Sequence, residues 1–321
     1  MRWLELTVKS HPDAVESVSE LLSRYTTEGV VMEDPIELVE EGQAYRIRPG
    51  EPVLIHAYTP MDGTEEEVCL RVREGLWHFR SIGAHYVSDL QTRAVAEEDW
   101  ANAWKEYYHV TLIGERLVIR PSWREYTPKD DEVVLTLDPG MAFGTGLHPT
   151  TRMCLEQIEK RVRPGMRILD VGTGSGILAI AAGKLGAESI YAIDNSSVAT
   201  ESARENAAMN DLGERIQVEL GELSMEEAKR REGQYDLVIA NIFAEVIGSI
   251  APQLATTVAP GGLLVVSGII KTRRPVAEGP LLAAGLELVD ESITLQDEES
   301  LATKDEALTS PWLALVYRKR P

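Results

Sequence analysis

Apolar residues recur along the first 95 residues with two different periods, one typical of strands and one typical of helices. In chain order, the strand-like and helix-like segments are residues 3–8, 12–25, 29–32, 51–58, 64–82 and 86–95. The second and fifth of these segments have the helical spacing, and the others read as strands. The order βαββαβ predicts a small ferredoxin-like α+β domain.

The segment that follows, residues 96–109, is more highly charged. It contains Trp100 and Trp104, which would share one face of a helix, so this segment is predicted to be a connecting helix. Strand-like segments then follow within residues 110–137, and residues 138–151 form a loop that opens a helix.

From residue 167 onward, short apolar runs alternate with helical patterns. The seven strand-like runs are residues 167–171, 189–194, 215–220, 235–241, 262–268, 286–295 and 312–318. This alternation predicts an α/β fold with a seven-stranded, doubly wound, Rossmann-like sheet. Because no helical pattern joins the last two runs, the final strand is expected to return antiparallel. The predicted domains are therefore 1–95, a connecting helix at 96–109, and 110–321.

The composition restricts the class of partner. The chain of 321 residues has 52 acidic and 32 basic residues and a net charge of −20. Nucleic acid is a poor candidate for the main partner, since no basic stripe is available to neutralise phosphates. An acidic surface favours a basic partner, although solubility alone also explains the charge.

Other composition features exclude further classes. Cys69 and Cys154 lie in helix-like apolar patterns, which predicts buried free thiols. The six histidines form no ligand pair, so no metal site is expected. The charged N-terminus and the lack of a long apolar run predict a cytoplasmic protein without a membrane span. A monomer is the default expectation.

The most informative motif is Asp170-Val-Gly-Thr-Gly-Ser-Gly176, which lies between a predicted buried strand and a predicted helix. Alternate glycines let the backbone turn sharply and leave it bare for a nucleoside-bearing ligand. The dinucleotide fingerprint requires a third glycine where this chain has Ile177, and no Walker motif follows. The spacing therefore favours S-adenosylmethionine over a dinucleotide, with Gly172, Gly174 and Gly176 cradling its methionine part.

Two polar residues end neighbouring predicted strands, where ligands of open α/β sheets bind. Asp194 is placed to accept both ribose hydroxyls, and its alternative role is to cap the helix that starts near Ser196. Asn241 offers an acceptor and a donor that could align an amine nucleophile; the alternative is a turn residue that caps the next helix.

The loop at 138–151 supplies the remaining candidates. Thr150 and Thr151 are good residues for a helix N-cap, and Thr151 could also contact the cofactor. Phe143 could cover the adenine or line the channel for the target. His148 could act as a general base, although a packed or capping histidine is the commoner case.

Six motifs spread over nearly the whole chain occur together in one known family. They are Trp3-Leu-Glu-Leu6, Glu33-Asp-Pro35, Glu97-Glu-Asp-Trp-Ala101, the loop from Pro139 to Thr151, the segment from Asp170 to Gly176, and Ala240-Asn-Ile242. On these motifs the chain resembles the PrmA family of class I methyltransferases, which modify the large-subunit ribosomal protein numbered eleven. The stretch from Phe143 to Thr151 is the most specific, since class I methyltransferases in general lack it. One departure is Phe243, where the family more often has leucine.

The resemblance implies S-adenosylmethionine as cofactor, with contacts at Thr151, Gly172, Asp194 and Asn241. It implies methylation of lysine side chains and of the N-terminal α-amino group, with Asn241 positioning the amine and the N-terminal domain recognising the ribosomal protein. Two alternatives remain at this stage: a non-catalytic cofactor-binding protein associated with ribosomes, and a nucleic-acid N-methyltransferase. The residues leave open which amines are modified, how often, and how far the domains move.

Overall fold

A computed structural model gives the fold of most of the chain. It describes residues 2–11, 14–26, 30–33, 35–38, 45–48, 51–81, 87–96, 105, 107–138, 148–294 and 311–321. Most of the predicted connecting helix at 96–109 and most of the loop at 138–151 lie outside these residues. The chain divides into two compact units, with the division between His109 and Val110, and the second unit includes Val110–Thr294 and Trp312–Pro321.

The first unit contains six strands and two helices within its described residues. They are β1 (Arg2–Ser10), α1 (Val15–Tyr25), β2 (Val30–Glu33), β3 (Ile36–Leu38), β4 (Tyr45–Ile47), β5 (Val53–Pro60), α2 (Glu65–Ser81) and β6 (Gln91–Ala96). Four strands form a sheet in the order β2-β5-β1-β6, and all neighbours are antiparallel. Strands β3 and β4 form an additional antiparallel hairpin, which the sequence pattern did not predict.

The core of the first unit lies between this sheet and its two helices. Strand β1 alternates, so that Leu6 and Val8 face the core while Glu5 and Thr7 lie on the opposite side of the sheet. Helix α1 contributes Val18 and Leu22 to the same cluster, at the spacing of one helix face.

The second unit begins with three short strands: β7 (Thr111–Ile113), β8 (Leu117–Pro121) and β9 (Val133–Leu137). Helix α3 (Pro149–Arg161) follows. The remaining elements are β10 (Arg167–Val171), α4 (Ile177–Lys184), β11 (Ser189–Asp194), α5 (Ser197–Met209), β12 (Ile216–Leu220), α6 (Met225–Arg230), β13 (Tyr235–Asn241), α7 (Ala244–Ser249), α8 (Ala251–Thr257), β14 (Val258–Ile270), a 3-10 turn (Lys271–Arg273), α9 (Arg274–Ala283), β15 (Leu286–Ile293) and β16 (Trp312–Lys319).

The seven long strands form one sheet in the order β12-β11-β10-β13-β14-β16-β15. The first five are parallel, and β16 is antiparallel to both of its neighbours. The predicted α/β fold, the seven strands and the antiparallel return of the last strand are confirmed. Apolar clusters cover both faces of the sheet, with α3, α4 and α5 on one side and α6 to α9 on the other.

The strand order reverses between β10 and β13, because β11 and β12 lie to one side of β10 and β14 lies beyond β13. Open α/β sheets bind their ligands at such a switch point, outside the carboxyl ends of the strands. The residues that follow β10, β11 and β13 therefore form the candidate site.

Candidate active site

The glycine loop, residues 172–176, makes a tight turn between β10 and α4. Gly172, Gly174 and Gly176 have φ angles of 74°, 56° and 83°, in the left-handed region that favours glycine. The amides of Gly172 and Thr173 both donate to the carbonyl of Ile193, at 2.8 and 3.2 Å, which ties the loop to the end of β11. The alternating glycines are thus required by the backbone itself, and the main chain between them carries only small side chains.

Asp194 ends β11 and connects two structural elements of the site. Its Oδ2 accepts the amide of Gly174 at 2.9 Å, and its Oδ1 accepts the amide of Ser196 at 2.9 Å. The N-cap of α5 is Ser196, whose side chain accepts the amide of Ala199. The capping role considered for Asp194 is therefore filled by Ser196, while the half-buried carboxylate lies against the glycine loop. Each of its oxygens retains a second lone pair for a ligand hydroxyl.

Asp170 lies directly below this loop and is completely buried. Its Oδ2 accepts the hydroxyl of Thr173 at 2.7 Å, whereas its Oδ1 has no hydrogen-bond partner among the described residues. Burial raises the pKa of Asp170 to about 7; hydrogen bonds from the hydroxyl of Thr173 and the amide of Ala179 oppose the rise, and the negative charge of Asp194 adds to it. An incompletely paired buried carboxyl group is unusual, and perturbed groups of this kind cluster at functional sites.

Asn241 ends β13, and the structure brings it to Thr151 from a position 90 residues away. The Nδ2 of Asn241 donates to the Oγ1 of Thr151 at 3.3 Å. With the amide held in this orientation, its carbonyl oxygen is the group left to accept a hydrogen bond from a substrate. The pairing of Asn241 with Thr151 places two predicted site residues together.

The start of α3 differs from the sequence prediction. His148, rather than Thr150 or Thr151, is the N-cap, and its Nδ1 accepts the amide of Thr150. Thr151 lies in the first turn of the helix, 1% exposed, and its hydroxyl reaches Asn241 instead of capping. Pro149 occupies the first position of the helix, which proline favours, so the cap falls on the residue before it.

His148 has the surroundings of a packed residue. It forms an edge contact with Trp312, with 5.2 Å between ring centroids, and burial together with Arg152 lowers its pKa to about 4. A histidine held neutral in this way acts as an acceptor for the cap. The capping role is thus filled, and a role as general base stays an alternative.

Two asparagines, Asn206 on α5 and Asn210 at the C-cap of this helix, were not identified from the sequence. Asn206, 1% exposed, donates to the carbonyl of Ser175 in the glycine loop and accepts the amide of Asp138. Asn210 bonds both main-chain groups of Thr136, at the end of β9. Their spacing of four residues on the buried face of a helix was the available signal. They connect the glycine loop to the start of the loop at 138–151. Phe143, which belongs to that loop, lies outside the described residues.

Several general predictions can be compared with the described residues. Cys69 and Cys154 are buried free thiols, as predicted. Within the described part of the chain, no cluster of three potential metal ligands occurs. Among the described helices, none has both the length and the apolar character needed to cross a bilayer.

The residues at the switch point fit S-adenosylmethionine. A bare main chain with left-handed glycines suits a ligand that lies against backbone. The carboxylate of Asp194 beside it suits a ribose diol. The polar groups at the switch point are oxygen and nitrogen atoms, and each is placed to bind or orient the ligand.

Comparisons with known proteins identify a family with a similar sequence. A family model described as "Ribosomal protein L11 methyltransferase (PrmA)" matches residues 2–296. A protein of Chloroflexus aurantiacus named "Ribosomal protein L11 methyltransferase" is 41% identical, over 99% of this chain and 98% of that protein. A protein of the same name from an Exiguobacterium species is 40% identical, over 99% of this chain and 100% of that protein.

A solved structure is also similar. The crystal structure of a ribosomal protein L11 methylase from Lactobacillus delbrueckii subsp. bulgaricus aligns with a TM-score of 0.56 and 33% identity, over 67% of this chain and 100% of that one. These matches confirm the predicted resemblance, the methyltransferase class and S-adenosylmethionine as cofactor. The chain therefore belongs to the ribosomal protein L11 methyltransferase family.

Proposed function

We propose that this enzyme methylates lysine side chains and the N-terminal α-amino group of ribosomal protein L11, with Asn241 positioning the amine. One observation carries the proposal: Asn241, fixed by Thr151 at the end of β13, holds an amide oxygen at the strand end next to the glycine loop. An amine nucleophile needs an acceptor there, because a hydrogen bond from its N–H fixes the direction of its lone pair.

The cofactor would be held by three parts of this chain. Gly172, Gly174 and Gly176 provide the surface for its methionine part, Asp194 accepts the ribose hydroxyls, and Thr151 contributes a further contact. Phe143 completes the predicted set from outside the described residues. When bound, S-adenosylmethionine supplies an electrophilic methyl group on a positively charged sulfur.

The protein must deliver the amine in its neutral form. A lysine has a pKa near 10.4, so the neutral form is disfavoured at pH 7 by roughly 4 to 5 kcal/mol, whereas an α-amino group with a pKa near 8 needs much less help. Desolvation in the pocket lowers the pKa of the amine. Alignment by Asn241 then contributes through a fixed attack geometry. This mechanism needs acceptors and a dry pocket, and water can take the proton before the site closes.

We infer a division of labour along the chain. Residues 1–95 have a ferredoxin-like fold, supported by the antiparallel order β2-β5-β1-β6 with two helices packed on the sheet. They recognise the ribosomal protein, residues 96–109 connect, and residues 110–321 perform the transfer. The net charge of −20 favours a basic partner over nucleic acid. The enzyme works as a cytoplasmic monomer.

The test is a labelling experiment with the purified full-length chain. Radiolabelled S-adenosylmethionine is incubated with the enzyme and the dissociated proteins and RNA of bacterial large subunits. Label in ribosomal protein L11, recovered as methylated lysine and methylated N-terminal residue, is the expected result. Label in RNA supports the nucleic-acid alternative, and binding of the cofactor without label in any fraction supports the non-catalytic one.

A matched pair of variants assigns the activity to the site. Asn241→Ala removes the amide at the carboxyl end of β13, and Gln234→Ala removes an exposed amide just before the other end of the same strand. Loss of label with the first variant and retention with the second is expected. Equal labelling by both would contradict the role of Asn241.

A further inference from the structure

Strand β14 extends beyond the end of β13 and carries an irregularity at that point. Asn241 pairs with Ser267 as the last residue pair between the two strands. On its other edge, β14 changes register against β16 between Val266 and Ile269, where three steps on β14 match two on β16. This is a β-bulge, a feature that often re-aims chain segments next to active sites.

Gly268 lies in this bulge and touches the main chain that follows Asn241. Its φ is +80°, in the left-handed region. A Cβ placed on Gly268 would lie 2.4 Å from the carbonyl oxygen of Ile242, 2.8 Å from its carbonyl carbon and 3.1 Å from its nitrogen. All three atoms belong to the backbone, so no side-chain rotation can relieve the overlap. Any residue with a side chain at this position must push Ile242 away.

Ile242 is held from two other directions. Its amide donates to the carbonyl of Ser267 at 3.1 Å. Its side chain fills the space beside Gly172, where an added Cβ would lie 2.4 Å from the Cγ2 of Ile242. Ile242 is therefore wedged between the bulge and the glycine loop, and a shift of its backbone must move the adjacent Asn241.

We propose that Gly268 is a positioning residue for methyl transfer: its lack of a side chain lets the bulge seat Ile242, and this seating sets the distance between Asn241 and Thr151. The inference rests on the proposed role of Asn241. Gly268 has no side chain with which to contact the amine or the cofactor, so its effect is expected to pass through Ile242. Catalysis depends on it because a displacement of about 1 Å in an aligning group can lower a rate by about 100-fold.

The test compares three variants of the full-length enzyme with the wild type. Gly268→Ala introduces the overlapping Cβ and also strains the backbone. Gly268→Asn introduces the same Cβ with less strain, since asparagine tolerates the left-handed region better than alanine. Gly261→Ala is the matched control, because Gly261 lies on the same strand with a φ of +77° and has no atom within 4 Å of its would-be Cβ.

Steady-state methylation of ribosomal protein L11 is measured, and each rate is divided by the number of cofactor sites that calorimetry titrates, so that unfolded protein does not count. Both Gly268 variants are expected to lose at least about 10-fold in kcat, with KM for the protein substrate and Kd for the cofactor within about threefold of wild type. Gly261→Ala is expected to retain the wild-type kcat.

Three results would overturn the inference. The first is a wild-type kcat in Gly268→Ala. The second is a kcat in Gly268→Asn that returns to the wild-type value, which would point to backbone strain alone, and the third is an equal loss of kcat in Gly261→Ala.

If neither Gly268 variant folds, Ser267→Ala decides, because it removes the hydroxyl that anchors the bulge to the carbonyl of Leu313 at 2.8 Å. A lower kcat supports the role of the bulge, and an unchanged kcat rejects it. Failure of the proposed function is distinguishable, because the wild type would then label no protein.

Discussion

Glu5 in the first unit and Asp170 in the second are both enclosed carboxyl groups, 3% and 0% exposed, but their surroundings differ. Glu5 accepts hydrogen bonds from Tyr58 at 2.9 Å, from Tyr107 at 3.1 Å and from Arg93 at 2.8 Å, so that both of its oxygens are paired. Asp170 has one oxygen paired and one without a partner among the described residues.

The network around Glu5 has a structural purpose. It connects β1, β5 and β6 with the segment around Tyr107, whose ring stacks on His56 with 4.1 Å between centroids. Burial, with the charge of Glu5 adding to it, raises the pKa of Tyr107 to about 12, so that its hydroxyl remains a donor. A buried charge that is paired on every side stabilises the arrangement of the elements that pair it.

Asp170, in contrast, is incompletely paired. It lies at the carboxyl end of β10, below the glycine loop, and only one of its two oxygens has a hydrogen-bond partner among the described residues. Within the described residues, this incompletely paired carboxyl group lies at the switch point of the sheet, beside the residues predicted to bind the cofactor. The difference separates a carboxyl group whose two oxygens are both paired within its unit from one that is incompletely paired beside the predicted site.

The largest effect expected from this comparison is on stability, at Glu5. Glu5→Gln removes the charge that Arg93 and both tyrosines share, and it is expected to lower the free energy of unfolding by about 3 kcal/mol. Chemical denaturation measures the change. Glu67→Gln is the control, because the ion pair of Glu67 with Arg71 is exposed and such pairs are worth about 1 kcal/mol or less. If both variants lose the same free energy of unfolding, the buried network of Glu5 contributes no more stability than an exposed ion pair.

A substitution at Asp194 tests whether the predicted site binds the cofactor. Asp194→Ala removes the carboxylate that faces the glycine loop, and we expect cofactor binding to weaken by about 2 kcal/mol or more, which is roughly 30-fold in Kd. Isothermal calorimetry measures the affinity. Glu201→Ala, an exposed carboxylate on α5, should leave it unchanged. An unaltered Kd in Asp194→Ala would refute the ribose role.

Asp170 is expected to make stability depend on pH. Its pKa is about 7 in the folded protein and near 3.8 ordinarily, so between these values the folded protein holds a proton that the unfolded chain has released. Raising the pH through this window therefore lowers the free energy of unfolding, and the contribution levels off above pH 7.

Asp170→Asn cannot titrate. The free energy of unfolding of this variant minus that of the wild type should rise by on the order of 2 kcal/mol from pH 5 to pH 8. Denaturant titrations at both pH values measure it. A difference that is the same at pH 5 and pH 8 would show that Asp170 is not the perturbed group described above.

The smallest expected effect is at Thr151. Thr151→Val removes the acceptor for Asn241 and keeps the shape, which should lower kcat by about 5- to 10-fold, the value of one hydrogen bond near 1 kcal/mol. Thr151→Ser keeps the hydroxyl and should retain most of the rate. If serine and valine act alike, the hydroxyl does not orient Asn241.

The strand ends could be predicted from sequence because each buried strand is a short apolar run that stops at a polar residue. Asp194 and Asn241 were located in this way, and the seven strands followed from the alternation of patterns. The hairpin of β3 and β4 was missed because each strand has only three residues, too few to establish a period.

The remaining parts of the site depend on neighbours that are distant in sequence. Thr151 resembles a helix cap locally, and only the fold brings Asn241 to it. The requirement for glycine at 268 comes from the backbone of Ile242 on the adjacent strand, which no local pattern records. Asn206 likewise acquires its role from the loop that it bonds.

The most direct test of the account measures the rate of methyl transfer to ribosomal protein L11 by Asn241→Ala at saturating cofactor, beside Gln234→Ala. If Asn241 aligns the amine, kcat falls by about 100-fold in the first variant and stays at the wild-type value in the second. A kcat for Asn241→Ala within twofold of wild type, with the cofactor bound, would contradict the central claim that the end of β13 positions the nucleophile.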